Sequence, residues 1–407
     1  MKIVVKIIFA ILALIALYKS LTFLYVGKAN ILTSIIIYSF IFWSIHFLIG
    51  KIFTKWRTSN WMITYWAIFC SVLILELGLR YITKSHLSYS EANGRFNYQC
   101  PYDQIKGRNL NALNQRGDVR LMIGPPSDSV FKSNQEFSYL HTYNSLGLRE
   151  KEISQVQIDT SFVVMAIGDS FAEGFGTPAD STWINLLAKR LKEDIPNLLP
   201  VNAGISGSDI VFESYKLRHL LHDAYQPDLV ILTINESDIQ DIIVRGGKER
   251  FISAQKLRYN SGPTWKYLYS FSHVFRLIIH RFFKVRWHFY TDKGYEAIFK
   301  KTKDIILKSI TEDLLPFSEE KEFDVLVVFT PMELELRKQT FRLTEIYDEL
   351  VKIDSSLTLN MYDAFLKTPE SDYQHYYWPI DLHCNSKGYL KWAEEMEKHL
   401  KTTDKSY

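Results

Sequence analysis

Cysteine is scarce in this chain, and its scarcity excludes two classes of small protein. Cys70, Cys100 and Cys384 are the only three, and they supply neither a disulfide framework nor a metal-ligand spacing. Cys70 sits in an apolar run, so Cys100 with Cys384 is the one pairing left open, and it requires an oxidising compartment. Nothing in the sequence calls for a metal or a bound cofactor. Net charge is also nearly absent. A balance of +3 over 407 residues does not argue for a nucleic-acid partner. The length allows one large domain with an addition, or two domains.

Charge is missing most completely near the N-terminus. Ile7 to Val26 is broken only by Lys19, Ser20 and a few other polar residues. Ile31 to Gly50 contains no Asp, Glu, Lys or Arg, and Trp61 to Leu79 contains only Glu76. Each run is about 20 residues, the length that crosses a bilayer as helix. No small-residue cleavage site follows the first, and two more runs do, so it does not read as a signal peptide. The expectation is a membrane anchor over residues 1–84 with three transmembrane helices, at about 7–26, 31–50 and 61–79. Lys2, Lys6, Lys51, Lys55 and Arg57 place the N-terminus and the second loop in the cytoplasm. The remainder of the chain then emerges on the extracytoplasmic side of the cell (inner) membrane, with Arg80 and Lys84 weighing mildly against. Glu76 marks either a partner contact or the interface itself.

Residues 85–160 are polar and rich in turn signals, such as Asn93-Gly94 and Gly124-Pro125-Pro126-Ser127. They are expected to form a connector or cap on the domain that follows, residues 161–407. That domain alternates apolar strand-like runs with helical spacing. The strands begin near Phe162, Leu199, Pro227, Phe323 and Leu357. Helical patterns cover Thr182 to Leu191, Ile210 to Leu221, Tyr347 to Ile353 and Ser386 to Leu400. Alternation of this kind implies an α/β fold, a three-layer α/β/α flavodoxin-like sandwich with a five-stranded parallel sheet.

An insertion at 248–303 interrupts the rhythm. Its only acids are Glu249, Asp292 and Glu296, and it is dense in rings and cations, as in Arg281-Phe-Phe-Lys-Val-Arg-Trp287. Three readings stay open: a lid over a site, a segment on the membrane surface, or a helical insertion with a solvated basic face.

The chemistry-bearing residues lie at the two ends of the α/β domain. The run from Phe162 stops at Gly168-Asp169-Ser170, a tight turn into a helix start. Such strand ends are where open α/β sheets hold their ligands. Ser170 there is either a helix cap or a nucleophile beside free backbone N–H groups. Near the C-terminus, Asp381-Leu-His383 places an acid two residues before a histidine. A serine needs a base to take its proton, and the base needs an acid to hold its tautomer.

From about Phe162 to Leu400 the chain resembles the SGNH (GDSL-type) hydrolases, in a membrane-anchored bacterial form. Four blocks in order carry the resemblance: Gly168-Asp-Ser-Phe-Ala-Glu-Gly174, Asn202-Ala-Gly-Ile-Ser-Gly207, Asn235-Glu-Ser-Asp238 and Asp381-Leu-His-Cys-Asn385. The resemblance implies Ser170 as nucleophile, His383 as base and Asp381 as its orienting acid. It implies an oxyanion hole from the N–H groups of Ser170 and Gly207. The third block departs from the family pattern, which has Asn directly before the Asp. Here Ser237 holds that place and Asn235 lies two positions earlier, so either is the side-chain donor.

These residues point to a serine esterase or acylhydrolase acting on an O-acyl, by class O-acetyl, ester of a cell-surface glycan or envelope polymer. A lipid ester would also suit an aromatic lid. An O-acyltransferase would use the same triad. The alternative of another class is a non-catalytic scaffold in a membrane polysaccharide-assembly complex. Expected partners are the acylated glycan or lipid ester, the membrane, and a membrane acyltransferase or polysaccharide-assembly protein.

Overall fold

The computed structural model describes residues 14–21, 28–52, 61–82, 97–99, 127–253, 256–257, 262–285, 289–367 and 372–403. Two compact units divide the chain. One comprises Met1–Asn111 with Arg258–Ala297, the other Ala112–Leu257 with Ile298–Tyr407. The middle of the insertion therefore groups with the N-terminal segment. Most of the expected connector, residues 85–96 and 100–126, lies outside the described residues.

In the first unit, helices α1 (Ile31–Ile52) and α2 (Trp61–Ile82) run antiparallel. Aromatic pairs zip them together. Phe42 meets Phe69 at 4.3 Å between centroids, Trp43 meets Trp66 at 5.8 Å, and the Tyr65 hydroxyl donates to the Phe42 carbonyl. Their other sides leave Phe47, Ile63 and Ile74 exposed. The sequence predicts three spans; among the described residues one helix, α2, is long and apolar enough to cross a membrane, over Ile63–Arg80. The described apolar stretch of α1 is Leu32–Leu48, inside a helix of 22 residues. The first predicted span lies mostly outside the described residues, of which 14–21 are helical. The insertion adds helices Lys266–Phe271 and His273–Phe283, separated by Ser272, whose hydroxyl accepts the Phe275 N–H at 2.9 Å and caps the second.

The second unit opens with an antiparallel hairpin, β1 (Ser129–Ser133) and β2 (Ser138–Thr142). Its sheet then uses β3 (Phe162–Ile167), β4 (Leu198–Asn202), β5 (Leu229–Ile234), β6 (Asp324–Phe329) and β7 (Thr358–Asn360). All pairings are parallel, in the order β7-β6-β5-β3-β4. This is the doubly wound order of flavodoxin-like sheets. Alternate residues of β3 are buried on both sides, so both faces of the sheet are covered. On one face Val164, Ala166, Ile231 and Val328 pack on Trp183 and on Trp392 of the C-terminal helix. Pro200 lacks an N–H and is tolerated because β4 is an edge strand.

The winding reverses at β3. Its next strand in sequence, β4, lies on one side, and β5 lies on the other. A crevice at the carboxyl ends of strands opens at such a switch point. The chain leaving β3 enters the short helix α3 (Ser170–Glu173), and the chain leaving β5 enters α4 (Glu236–Arg245). The final helix is α5 (Ser386–Thr402).

Candidate active site

The β3–α3 turn is built so that no other residue fits at Gly168. Its φ is +138°, and an added Cβ would lie 2.5 Å from the Thr233 hydroxyl and 2.7 Å from the Thr233 carbonyl. Asp169 caps α3 by accepting the Phe171 N–H at 2.9 Å. Ser170 is thereby the first residue of the helix, partly exposed, with its N–H unpaired among the described residues.

The Ser170 Oγ lies 2.7 Å from His383 Nε2. On the other edge of the ring, Nδ1 lies 2.6 Å from Asp381 Oδ1. A carboxylate on this edge favours the tautomer with the proton on Nδ1, which leaves Nε2 to accept from the serine. Leu382 makes the acid–histidine spacing work. Its φ of +68° is left-handed, which swings the Asp381 carboxylate back to the ring. Phe171 and Phe175 pack on the imidazole at 4.8 and 4.9 Å between centroids. The His383 and Asp381 side chains are 23% and 19% exposed, so a substrate can reach them.

The loop between β4 and the next helix is tied to the same turn. The Ile205 N–H and the Ser208 hydroxyl both donate to the Gly168 carbonyl, each at 2.9 Å. Gly207 between them has φ +74°, and its N–H is likewise unpaired among the described residues. Asp209 follows, caps the helix Ile210–Lys216, and is gripped by both terminal nitrogens of Arg250 at 2.8 and 2.7 Å. Burial alone would raise the Asp209 carboxyl; the charge and hydrogen bonds of Arg250, with help from Arg245, hold it below its usual range.

Asn235 and Ser237 converge on Asp169. The Asn235 amide and the Ser237 hydroxyl donate to Asp169 Oδ2 at 3.0 and 2.8 Å. There is no bulge to carry Asn235 to the place before Asp238. It follows β5 directly, caps α4 through the Ser237 N–H at 2.8 Å, and is fully buried. Ser237 is only partly buried. Asp238 accepts the Asn235 N–H at 2.9 Å, and burial, then the neighbouring Asp169 carboxylate, push its carboxyl well above the usual range.

Sequence reasoning missed the role of the hairpin. The Glu136 carboxylate, in the β1–β2 turn, accepts the N–H groups of Ile380 and Asp381 at 2.8 and 2.7 Å. The Asn134 amide approaches Asp381 Oδ2 at 3.4 Å. Phe137 packs on Phe175 and Trp378 at 5.5 and 5.6 Å. Arg149, at the end of the connector, donates to the carbonyls of Glu173, Gly174 and Thr177 beneath α3. No local motif announces Glu136, because its partners lie some 245 positions away. Cys384 is a free thiol, fully buried beside His383, and burial pushes it up. Cys100 lies outside the described residues.

Solved structures similar to the chain include an acetylxylan esterase from Geobacillus stearothermophilus, at 14% identity over 59% of this chain and 94% of that one, TM-score 0.37. An esterase from Pseudoalteromonas sp. is 14% identical over 59% and 97%, TM-score 0.35. A carbohydrate acetylesterase family member from Sinorhizobium meliloti is 13% identical over 59% and 97%, TM-score 0.34. No curated protein matches the chain. The model of the GDSL-like lipase/acylhydrolase family matches residues 166–391, just over half the chain, and that span starts inside β3 and ends inside α5, taking in all four motif blocks. The chain therefore belongs to the GDSL-like lipase/acylhydrolase family and is a serine ester hydrolase.

Proposed function

We propose that this protein is a membrane-anchored esterase that removes an O-acyl group, O-acetyl by class, from a glycan or polymer of the cell envelope. The unbroken hydrogen-bonded line Ser170–His383–Asp381, at 2.7 and 2.6 Å, carries the reading. His383 Nε2 takes the hydroxyl proton as Ser170 Oγ attacks the ester carbonyl. Asp381 holds Nδ1–H and stabilises the imidazolium. The oxyanion is met by the N–H groups of Ser170 and Gly207, with the Ser237 hydroxyl turning from Asp169 as the third donor. Collapse breaks the ester C–O bond, the leaving alcohol takes the proton from His383, and the acyl group stays on Ser170. Water then attacks, with His383 as base again, and releases the carboxylic acid.

The anchor is α2, with α1 packed against it. The intervening basic loop, with Lys55 and Arg57, faces the cytoplasm, and the catalytic unit faces outward. An outward site beside the membrane meets envelope polymers, which supports an acylated glycan as substrate. If a sugar hydroxyl replaces water in the second half-reaction, the same residues carry out O-acyl transfer. The test is full-length protein in detergent, given an O-acetylated polysaccharide with and without a deacetylated acceptor. Released acetate is the expected product. Acetate that appears only on the acceptor identifies a transferase, and no acyl-enzyme at all contradicts both.

A further inference from the structure

Within the N-terminal unit, Glu76 and Arg80 of α2 are 1% and 2% exposed. The ion pair between them is 3.1 Å long, and it does not serve α2 alone. The Glu76 carboxylate accepts the first two N–H groups of the insertion helix, from His273 at 2.8 Å and Val274 at 3.0 Å. A carboxylate at this end satisfies orphan donors and opposes the helix dipole. Arg80 donates to the Phe271 carbonyl at 2.9 Å, which also accepts from the Ser34 hydroxyl of α1 at 2.6 Å. The Tyr38 hydroxyl joins Glu76 at 3.2 Å and also meets Ser272. The start of the insertion helix is thus pinned to both N-terminal helices by charges that a membrane span would otherwise exclude.

The pin also sets the level of the helix's first turn. Glu76 lies six residues before the end of α2, about 9 Å at the rise of an α-helix. Helices that lie in the membrane interface sink by about 5–10 Å. The face that this helix leaves exposed is of the matching kind. Leu277, Ile278, Phe282 and Phe283 are all exposed, the last two at 75% and 63%. Arg281 and Lys284 are exposed beside them. Exposed apolar side chains gathered on one short helix mark a surface that contacts something other than water.

We propose that His273–Phe283 is an interfacial membrane helix. Its Leu277, Ile278, Phe282 and Phe283 side chains enter the acyl-chain boundary, and Arg281 and Lys284 reach headgroup phosphates. The Glu76–Arg80 pair holds it at that level. This rests on the reading of α2 as a span, and the test separates the two.

Full-length protein with Cys70→Ser and Cys100→Ser is reconstituted into nanodiscs of phosphatidylethanolamine and phosphatidylglycerol. A nitroxide is placed by Phe282→Cys, by Ile74→Cys in α2, or by Glu193→Cys on the catalytic unit. Collisional relaxation by oxygen and by a water-soluble nickel chelate is measured at each. Position 282 is expected to share the oxygen preference of position 74, while 193 favours nickel. Adding Glu76→Ala should turn 282 toward nickel and leave 74 unchanged. Position 74 in lipid with 282 as wet as 193 overturns the interfacial helix and leaves the anchor standing. Shielding of 282 from both reagents overturns it in favour of a protein partner. Nickel preference at 74 overturns the anchor and this inference with it. Retention of 282 in lipid without Glu76 overturns the pin.

Discussion

Glu136 and Asp381 are joined by a hydrogen bond of 2.7 Å in which the carboxylate of one accepts the backbone N–H of the other. With the Ile380 N–H at 2.8 Å, Glu136 closes a clasp around the loop that presents Asp381, the proposed orienting acid. Apart from His383 Nδ1 and the Asn134 amide, which meet its carboxylate, Asp381 is held by this clasp, on a partly exposed loop that carries the strained Leu382. Glu136→Ala is expected to lower kcat by about 10- to 100-fold with KM nearly unchanged, the effect of a misplaced catalytic group. In an Asp381→Ala background the same substitution should cost nothing further. Steady-state kinetics of the four proteins form a double-mutant cycle, and additive losses would show that Glu136 acts on stability rather than through Asp381.

Ser237 and Asn235 should separate function from stability. Ser237→Ala is expected to lower kcat by about 100-fold or more while leaving the unfolding midpoint in place, the signature of a lost oxyanion donor. Asn235→Ala removes a helix cap and a donor to Asp169, and should cost at least about 1 kcal/mol of stability. Kinetics and denaturant unfolding of both variants decide the matter. The reverse pattern would make Asn235 the oxyanion group.

Asp209 ties acid stability to the Gly207 loop. Asp209→Ala leaves the Arg250 guanidinium buried without its partner and should destabilise by about 3–5 kcal/mol. The Asp209 carboxyl titrates below its usual value of 3.8 in the folded state. Its contribution is therefore fully present well above 3.8, starts to fade as the unfolded chain takes up the proton near that value, and is gone only once pH falls through the lower folded value. Urea unfolding of wild type and variant between pH 7 and 3 should show the difference between them shrinking only at the acid end. A constant difference would contradict the assignment.

The α/β domain is legible in the sequence because buried parallel strands are short apolar runs with sharp ends. Phe162, Pro227 and Phe323 each precede or begin a strand that ends where the apolar run ends. Ser170, His383 and Asp381 are legible because they sit in fixed blocks at strand and helix ends. The hairpin clasp is not, since a glutamate that accepts two N–H groups from a distant loop leaves no periodic trace. Asn235 shows the limit within a block. Its role follows from the absence of a bulge after β5, a property of the backbone rather than of residue order. The packing of the N-terminal helices is not legible for a related reason: hydropathy records apolar length, whereas buried polar groups such as Ser34 and Glu76 reflect packing against the insertion.

The assignment of Ser170 as nucleophile is tested most directly by intact-mass analysis of full-length protein treated with a serine-reactive phosphonate. It is run beside turnover of a chromogenic acetyl ester, with Ser170→Ala and His383→Ala as partners. Wild type should gain one phosphonyl group, on the peptide that carries Ser170, and lose its turnover in step. Both variants should stay unmodified and lose turnover by about 1,000-fold or more. Folded wild type that neither labels nor turns over would contradict the hydrolase, and would leave a scaffold with an idle triad.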